Sequence, residues 1–334
     1  MERNTTLTGI LISLLSFTIL SCTNPALKKV DIYLKQGNYV RAVDILEHER
    51  KKHPKDGELL TLLAEYHGVL GNYREMKNIL DDQTLESYQY RKRADFIREK
   101  YWRMNFNQAI DRLSRDRVKE AADFLNNAII VDDEKAATYA ILGDAYLKLE
   151  EVNKAINAYT RHINLDKKST ISCENLSELY FQKRQFLQSI HLAQEAIQRD
   201  PNLFSSYLRM AFAYQEIDSM EAAENAYQNA QDLNQTVLLL EEFGKFCYRR
   251  KKYEMAKEKF SQGLLLSQNA DRFYKYLAEC SFGLNDFQNV AAYYEKYITN
   301  HKDDREALKN LLVAYNRLGD KTNYIRIHLL LNKQ

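Results

Sequence analysis

The stretch Ala136 to Ser169, AATYAILGDAYLKLEEVNKAINAYTRHINLDKKS, lays its apolar positions over those of the stretch Thr170 to Leu203. Tyr139, Leu142, Gly143 and Tyr146 fall over Cys173, Leu176, Ser177 and Tyr180, and Ala155, Tyr159 and His162 over Ser189, Ala193 and Ala196. Apolar residues three and four apart predict amphipathic helices, and a 34-residue offset predicts one helical hairpin per repeat. Registers begin near residues 23, 57, 102, 136, 170, 204, 237, 271 and 305. In this pattern Gly143, Ser177, Ala211, Gly244 and Ala278 sit where the second helix crosses the first, and Ala155, Ala223 and Ala256 occupy the facing point. Tyr146, Tyr180 and Tyr214 fill the space between. One such pair cannot bury its apolar face alone, so neighbours must stack.

The rhythm breaks between Asp81 and Gln108, where about fifteen residues are inserted without a glycine or proline. Tyr90, Ala94, Ile97, Tyr101 and Met104 share one helical face, which predicts a long helix extended ahead of the third repeat and a candidate hinge. The expected organisation is a leader over 1–21, a pair of repeats over 22–87, a helical connector over 88–101 and an array of about seven repeats over 102–334. Arg91, Lys92, Arg93, Arg98, Lys100 and Arg103 make the insert basic, which suits either a solvated face or contact with anionic lipid or a partner.

The chain resembles tetratricopeptide-repeat (TPR) arrays along nearly its whole length after residue 22. The family pattern is met most fully by Leu142-Gly143 with Tyr146, Ala155 and Tyr159, and again by Ala223 with Tyr227 and Ala230, and by Tyr253 with Ala256 and Phe260. The resemblance implies an all-α fold: a TPR α-solenoid, a right-handed superhelix of helix-turn-helix repeats whose first helices line a concave groove. The partner-binding positions it implies are Asp144, Glu174, Glu178, Phe181, Phe212, Glu241, Lys245, Tyr248, Arg249, Arg272, Lys275 and Phe282. Aromatic anchors among charges suit an extended peptide or a partner's helix. The chaperone-binding members hold a terminal carboxylate with basic residues. Asp144, Glu174 and Glu178 stand at the matching places and would repel one, so that function does not carry over.

The run from Leu7 to Leu20 is apolar or hydroxylic and too short to span a bilayer comfortably, but it fits the hydrophobic part of a secretory signal. Ile19-Leu20-Ser21-Cys22 resembles the lipobox of bacterial lipoproteins. That resemblance implies cleavage before Cys22, lipid on its thiol and a membrane tether, the thiolate being the side chain nucleophilic enough for the thioether. With Thr23 rather than aspartate next, it also implies the periplasmic face of an outer membrane in common Gram-negative bacteria. A cytoplasmic protein with an apolar N-terminus is the alternative.

Composition fits helix throughout: 10 glycines and 3 prolines in 334 residues leave little material for hairpin turns. A net charge of +2 argues against nucleic acid as a general partner. Cys173, Cys247 and Cys280 read as small buried hydrophobes. The seven histidines form no HExxH pair, no phosphate loop or nucleophile elbow is present, and neither cofactor, metal nor catalysis is expected. Asp132-Asp133 and Asp303-Asp304 fall at repeat ends and read as helix caps.

The leading expectation is a tethered scaffold for protein partners in assembly of a cell-envelope complex. The alternative is a periplasmic ligand-binding lipoprotein that partners a solute transporter, its tyrosines lining a cavity. Self-association through the last helix is a further expectation, because Ile325, Ile327, Leu329, Leu330 and Leu331 have no polar capping helix after them.

Overall fold

The computed structural model describes residues 25–82, 85 and 87–332; the leader and Cys22 lie outside the described residues. All the regular structure described is helical. Among the described residues eighteen helices pair in chain order into hairpins, and the chain divides into two compact units, one ending at Asp166 and one beginning at Lys167.

The first unit holds α1 (Pro25–Lys35) with α2 (Tyr39–Lys52), α3 (Gly57–Val69) with α4 (Tyr73–Leu80), α5 (Tyr88–Ser114) with α6 (Val118–Val131), and α7 (Ala136–Lys148) with α8 (Val152–Leu165). The second holds α9 (Ile171–Gln182) with α10 (Phe186–Arg199), α11 (Phe204–Glu216) with α12 (Met220–Leu233), α13 (Val237–Arg249) with α14 (Tyr253–Leu266), α15 (Asp271–Gly283) with α16 (Phe287–Ile298), and α17 (Arg305–Leu318) with α18 (Lys321–Asn332). Among the described residues no helix is long and apolar enough to cross a membrane.

The small residues of the first helices lie at the crossings. Ala211 and Ala278 are fully buried, as are Ala155, Ala223 and Ala256 opposite. Tyr159 packs its ring against Gly143 and Phe260 packs against Gly244, so close that a Cβ on either glycine would fall 2.5 Å from a ring carbon. Ser177 keeps the crossing tight by a different means: its hydroxyl donates to the Ser189 carbonyl at 2.8 Å.

One device repeats in all nine hairpins. The first helix ends in a left-handed residue, which lets the amide after it reach back five positions to a carbonyl of the last turn. The left-handed residues are Gly37, Gly71, Asp116, Glu150, Arg184, Asp218, Lys251, Asn285 and Gly319. The amides of Glu151, Gln185 and Lys252, for example, bond to the carbonyls of Tyr146, Tyr180 and Cys247 at 2.8–2.9 Å. A side chain in this conformation costs about 1–2 kcal/mol relative to the right-handed form. Lys251 is exposed at φ 59°. Lys251→Gly is therefore expected to raise the stability of the second unit by about 0.5–1 kcal/mol, after glycine's entropic cost, in urea titration.

These turns also measure the insert. Gly37 and Gly71 stand 34 positions apart, whereas Gly71 and Asp116 stand 45 apart, so the insert is eleven residues rather than about fifteen. Eleven residues make close to three helical turns, so the lengthened helix keeps its apolar face in phase. The expected connector 88–101 is the first half of the single helix α5. Its Ala94, Ile97 and Tyr101 are buried, and it lies along α3, with Tyr90 against Gly57 and Tyr101 against Gly68. The Tyr101 hydroxyl donates to the Glu65 carbonyl at 2.9 Å. Trp102 donates to Thr138 at 2.9 Å and stacks on Phe106. Of the basic residues, Arg98 pairs with Asp81 and Asp95, Lys100 with Glu65 and Arg103 with Glu99.

At the far end, Ile327 is fully buried in the core of the last hairpins, so it is no part of an open apolar face. Ile325, Leu329 and Leu330 remain exposed. Asp304 caps α17 by accepting from the amides of Glu306 and Ala307.

Candidate functional site

In the second unit the first helices α9, α11, α13, α15 and α17 line up side by side, and hydrogen bonds and ion pairs run across them. Glu174 accepts from Ser205, and Glu178 pairs with Arg209. Arg249 donates to the Gln215 side-chain oxygen at 2.5 Å, and Arg272 pairs with Glu241 at 2.9 Å. Lys275 donates to Asp304 at 2.9 Å. Each bond ties one repeat to the next, because residues about 31 positions apart become neighbours when hairpins stack in register.

Most of the charged residues expected to meet a partner are thus already paired inside the chain. Glu241 is buried, and its carboxylate holds both Arg272 and Lys245, the latter at 2.7 Å. Burial works against the Lys245 charge, but hydrogen bonds to Glu241 and Glu242 outweigh it and hold the ammonium above its ordinary pKa. Burial likewise opposes the charge of Lys275, and the Asp304 hydrogen bond overcomes it. In the first unit, Asp144 accepts from the Tyr159 hydroxyl at 2.5 Å.

The aromatic positions are half-buried rather than sunk in the core. The Arg209 guanidinium lies over the Phe181 ring, 4.8 Å from its centre, and Phe181 meets Phe186 edge-on. Phe212 meets Tyr227 edge-on at 6.1 Å, Tyr248 meets Tyr253 at 5.6 Å and Phe282 meets Phe287 at 5.9 Å. Burial, then the Glu279 carboxylate, pushes the Tyr248 hydroxyl up to about 12.

Ile171 (69%), Leu238 (56%) and Val313 (40%), aliphatic residues on the same helices, are exposed. Sequence reasoning passed over them in favour of charges and rings. The signal was present, since Ile171 and Leu238 hold the second position of their repeats and Val313 the ninth, in the register that also places Arg272 and Glu279. The face therefore offers rings and aliphatic groups set among neutralised charges, a surface suited to a segment whose apolar side chains supply affinity.

The three described cysteines are buried and free. Burial pushes the Cys173 thiol up to about 11 and those of Cys247 and Cys280 to about 12, so these thiols stay protonated near neutral pH. Among the described residues no group of three or more His, Cys, Asp or Glu side chains is placed to hold a metal ion.

Comparison with known proteins agrees with the fold. Residues 138–170 match the tetratricopeptide repeat family model. A curated relative, RNA polymerase II-associated protein 3 of Xenopus laevis, is 24% identical over 139 residues, which are 40% of this chain. That match spans about a fifth of the relative's length (21%). Among solved structures, the C-terminal part of a TPR repeat-containing protein from Cytophaga hutchinsonii superposes with a TM-score of 0.58 at 19% identity, covering 68% of this chain and 93% of that one. PilF of Pseudomonas aeruginosa reaches a TM-score of 0.49 at 14% identity, covering 67% of this chain and 99% of that one.

Proposed function

This chain is a tetratricopeptide-repeat protein, and from that premise we propose that it is a membrane-tethered scaffold that holds protein partners during assembly of a cell-envelope complex. The observation that carries the reading is the first-helix face of the second unit. Its charges are mostly satisfied within the chain, while Phe181, Phe212, Tyr248, Phe282, Ile171, Leu238 and Val313 keep accessible apolar surface. A face kept only for solubility would have no use for this combination, whereas a docking face gains affinity from it. The tether rests on the Ile19-Leu20-Ser21-Cys22 motif, and the proposed place is the bacterial envelope, at the periplasmic face of an outer membrane.

A photoreactive phenylalanine analogue tests both parts in the native host. Placed at Phe212, it is expected to capture a discrete partner protein on illumination. Placed at Leu187, exposed on the second helix α10, it is expected to capture none. Equal capture at the two sites would remove the docking face. In the same cells Cys22→Ala is expected to move the chain from the detergent phase of the envelope to the soluble fraction, and unchanged partitioning would remove the tether.

A further inference from the structure

The cross-repeat pairing has one interruption. Glu178 finds Arg209, and Glu241 finds Arg272, each 31 positions further along. Glu279, on α15, sits at the same repeat position as Glu178. Thirty-one positions beyond Glu279 stands Asn310, whose amide donates to the Tyr294 hydroxyl at 3.1 Å. Glu279 makes no hydrogen bond or ion pair with any described residue, although it is half-buried. Lys275, the cation whose charge acts on it, donates to Asp304 instead. Burial raises the Glu279 pKa; Lys275 works against that rise, and Glu306 and Asp304 add to it. The surroundings therefore call for a positive charge that the chain does not supply. Tyr248 on α13 and Phe282, three residues along α15, hold rings on the same face.

We propose that Glu279 is the seat for a positively charged side chain, a guanidinium above all, carried by the partner segment that docks on this face. The assignment rests on the docking reading above and deepens it. A guanidinium would complete the missing rung as Arg209 and Arg272 complete theirs, and the neighbouring rings would hold its planar face. This is the opposite charge preference from a basic clamp on a carboxylate terminus.

The test uses two labelled, acetylated pentapeptide amides, Leu-Phe-Arg-Phe-Leu and its twin with citrulline in place of arginine, titrated into the full chain by fluorescence anisotropy. Citrulline keeps the shape and loses the charge. The arginine peptide is expected to bind about tenfold more tightly, which is the scale of one charge-assisted hydrogen bond. Glu279→Gln is expected to reduce it to the citrulline level while leaving the thermal midpoint in place. Asn310→Arg supplies the cation internally and is expected to have the same effect on binding. Equal affinity of the two peptides, with both bound, would overturn the cation seat and leave the docking face standing. Binding of neither would remove the docking face and the seat together.

Discussion

Gly244→Leu is expected to destabilise the second unit by about 3 kcal/mol or more, seen as a lower urea midpoint. Gly244 lies in the middle of α13, where glycine is a poor helix former, so on propensity alone alanine or leucine should help by up to about 1 kcal/mol. The crossing decides otherwise. The Phe260 ring is fully buried and packs where the added side chain would begin, with a Cβ 2.5 Å from its Cε1. Overpacking a well-filled core costs about 1–3 kcal/mol, and more where backbone must shift. Gly244→Ala meets the same ring with one atom and is expected to cost about 1 kcal/mol net. Shrinking the ring with Phe260→Leu should recover part of each loss, so a double-mutant cycle between the two positions should give a favourable coupling. A Gly244→Ala variant more stable than the parent would mean that α13 and α14 cross with room to spare.

Tyr227→Ala is expected to cost about 3–5 kcal/mol, the range for removing a large buried aromatic side chain. Tyr227 is fully buried and stacks on Phe243 at 5.0 Å with an interplanar angle of 9°; Phe246 lies 5.4 Å away and Phe212 6.1 Å. Its hydroxyl accepts from Gln215 at 2.5 Å, and Gln215 in turn accepts from Arg249 at 2.5 Å. Tyr227→Phe keeps the packing and breaks only this chain of bonds. Gln215 is half-exposed, so water can replace the lost acceptor, and the expected cost is about 1 kcal/mol. The ratio between the two variants separates ring packing from the polar link that reaches Arg249. Similar losses in both would mean that the hydroxyl, and not the ring, dominates.

The repeat architecture was legible because it depends on residue size at a fixed interval. Gly143, Ser177, Ala211, Gly244 and Ala278 could be found by spacing alone, and all five are buried at crossings. The turns were harder to read. Six of the nine left-handed positions carry a residue other than glycine; Asp116, Asp218 and Asn285 tolerate the conformation, but local propensity would not place Glu150, Arg184 or Lys251 there. The stacked hairpin imposes the conformation, and the backbone bond it closes compensates for the strain. The length of the insert was legible after all: the repeat starts near 57 and 102 stand 45 apart, eleven more than one repeat, and the turns at Gly71 and Asp116 give the same figure.

By itself, then, the order of residues determined that this chain folds as stacked helical hairpins, because small side chains recurring every 34 residues admit close helix crossings and little else. It also located the first helices of the repeats, whose shared face is the proposed docking surface. Only the tertiary structure decided which charges on that face remain available. Glu178, Lys275 and Arg272 look like free ligands along the chain, and each meets its counterion only when a neighbouring hairpin docks beside it. Glu279 looks no different from them in sequence. It stands apart because stacking brings an asparagine, already bonded to Tyr294, to the place where its relatives meet an arginine.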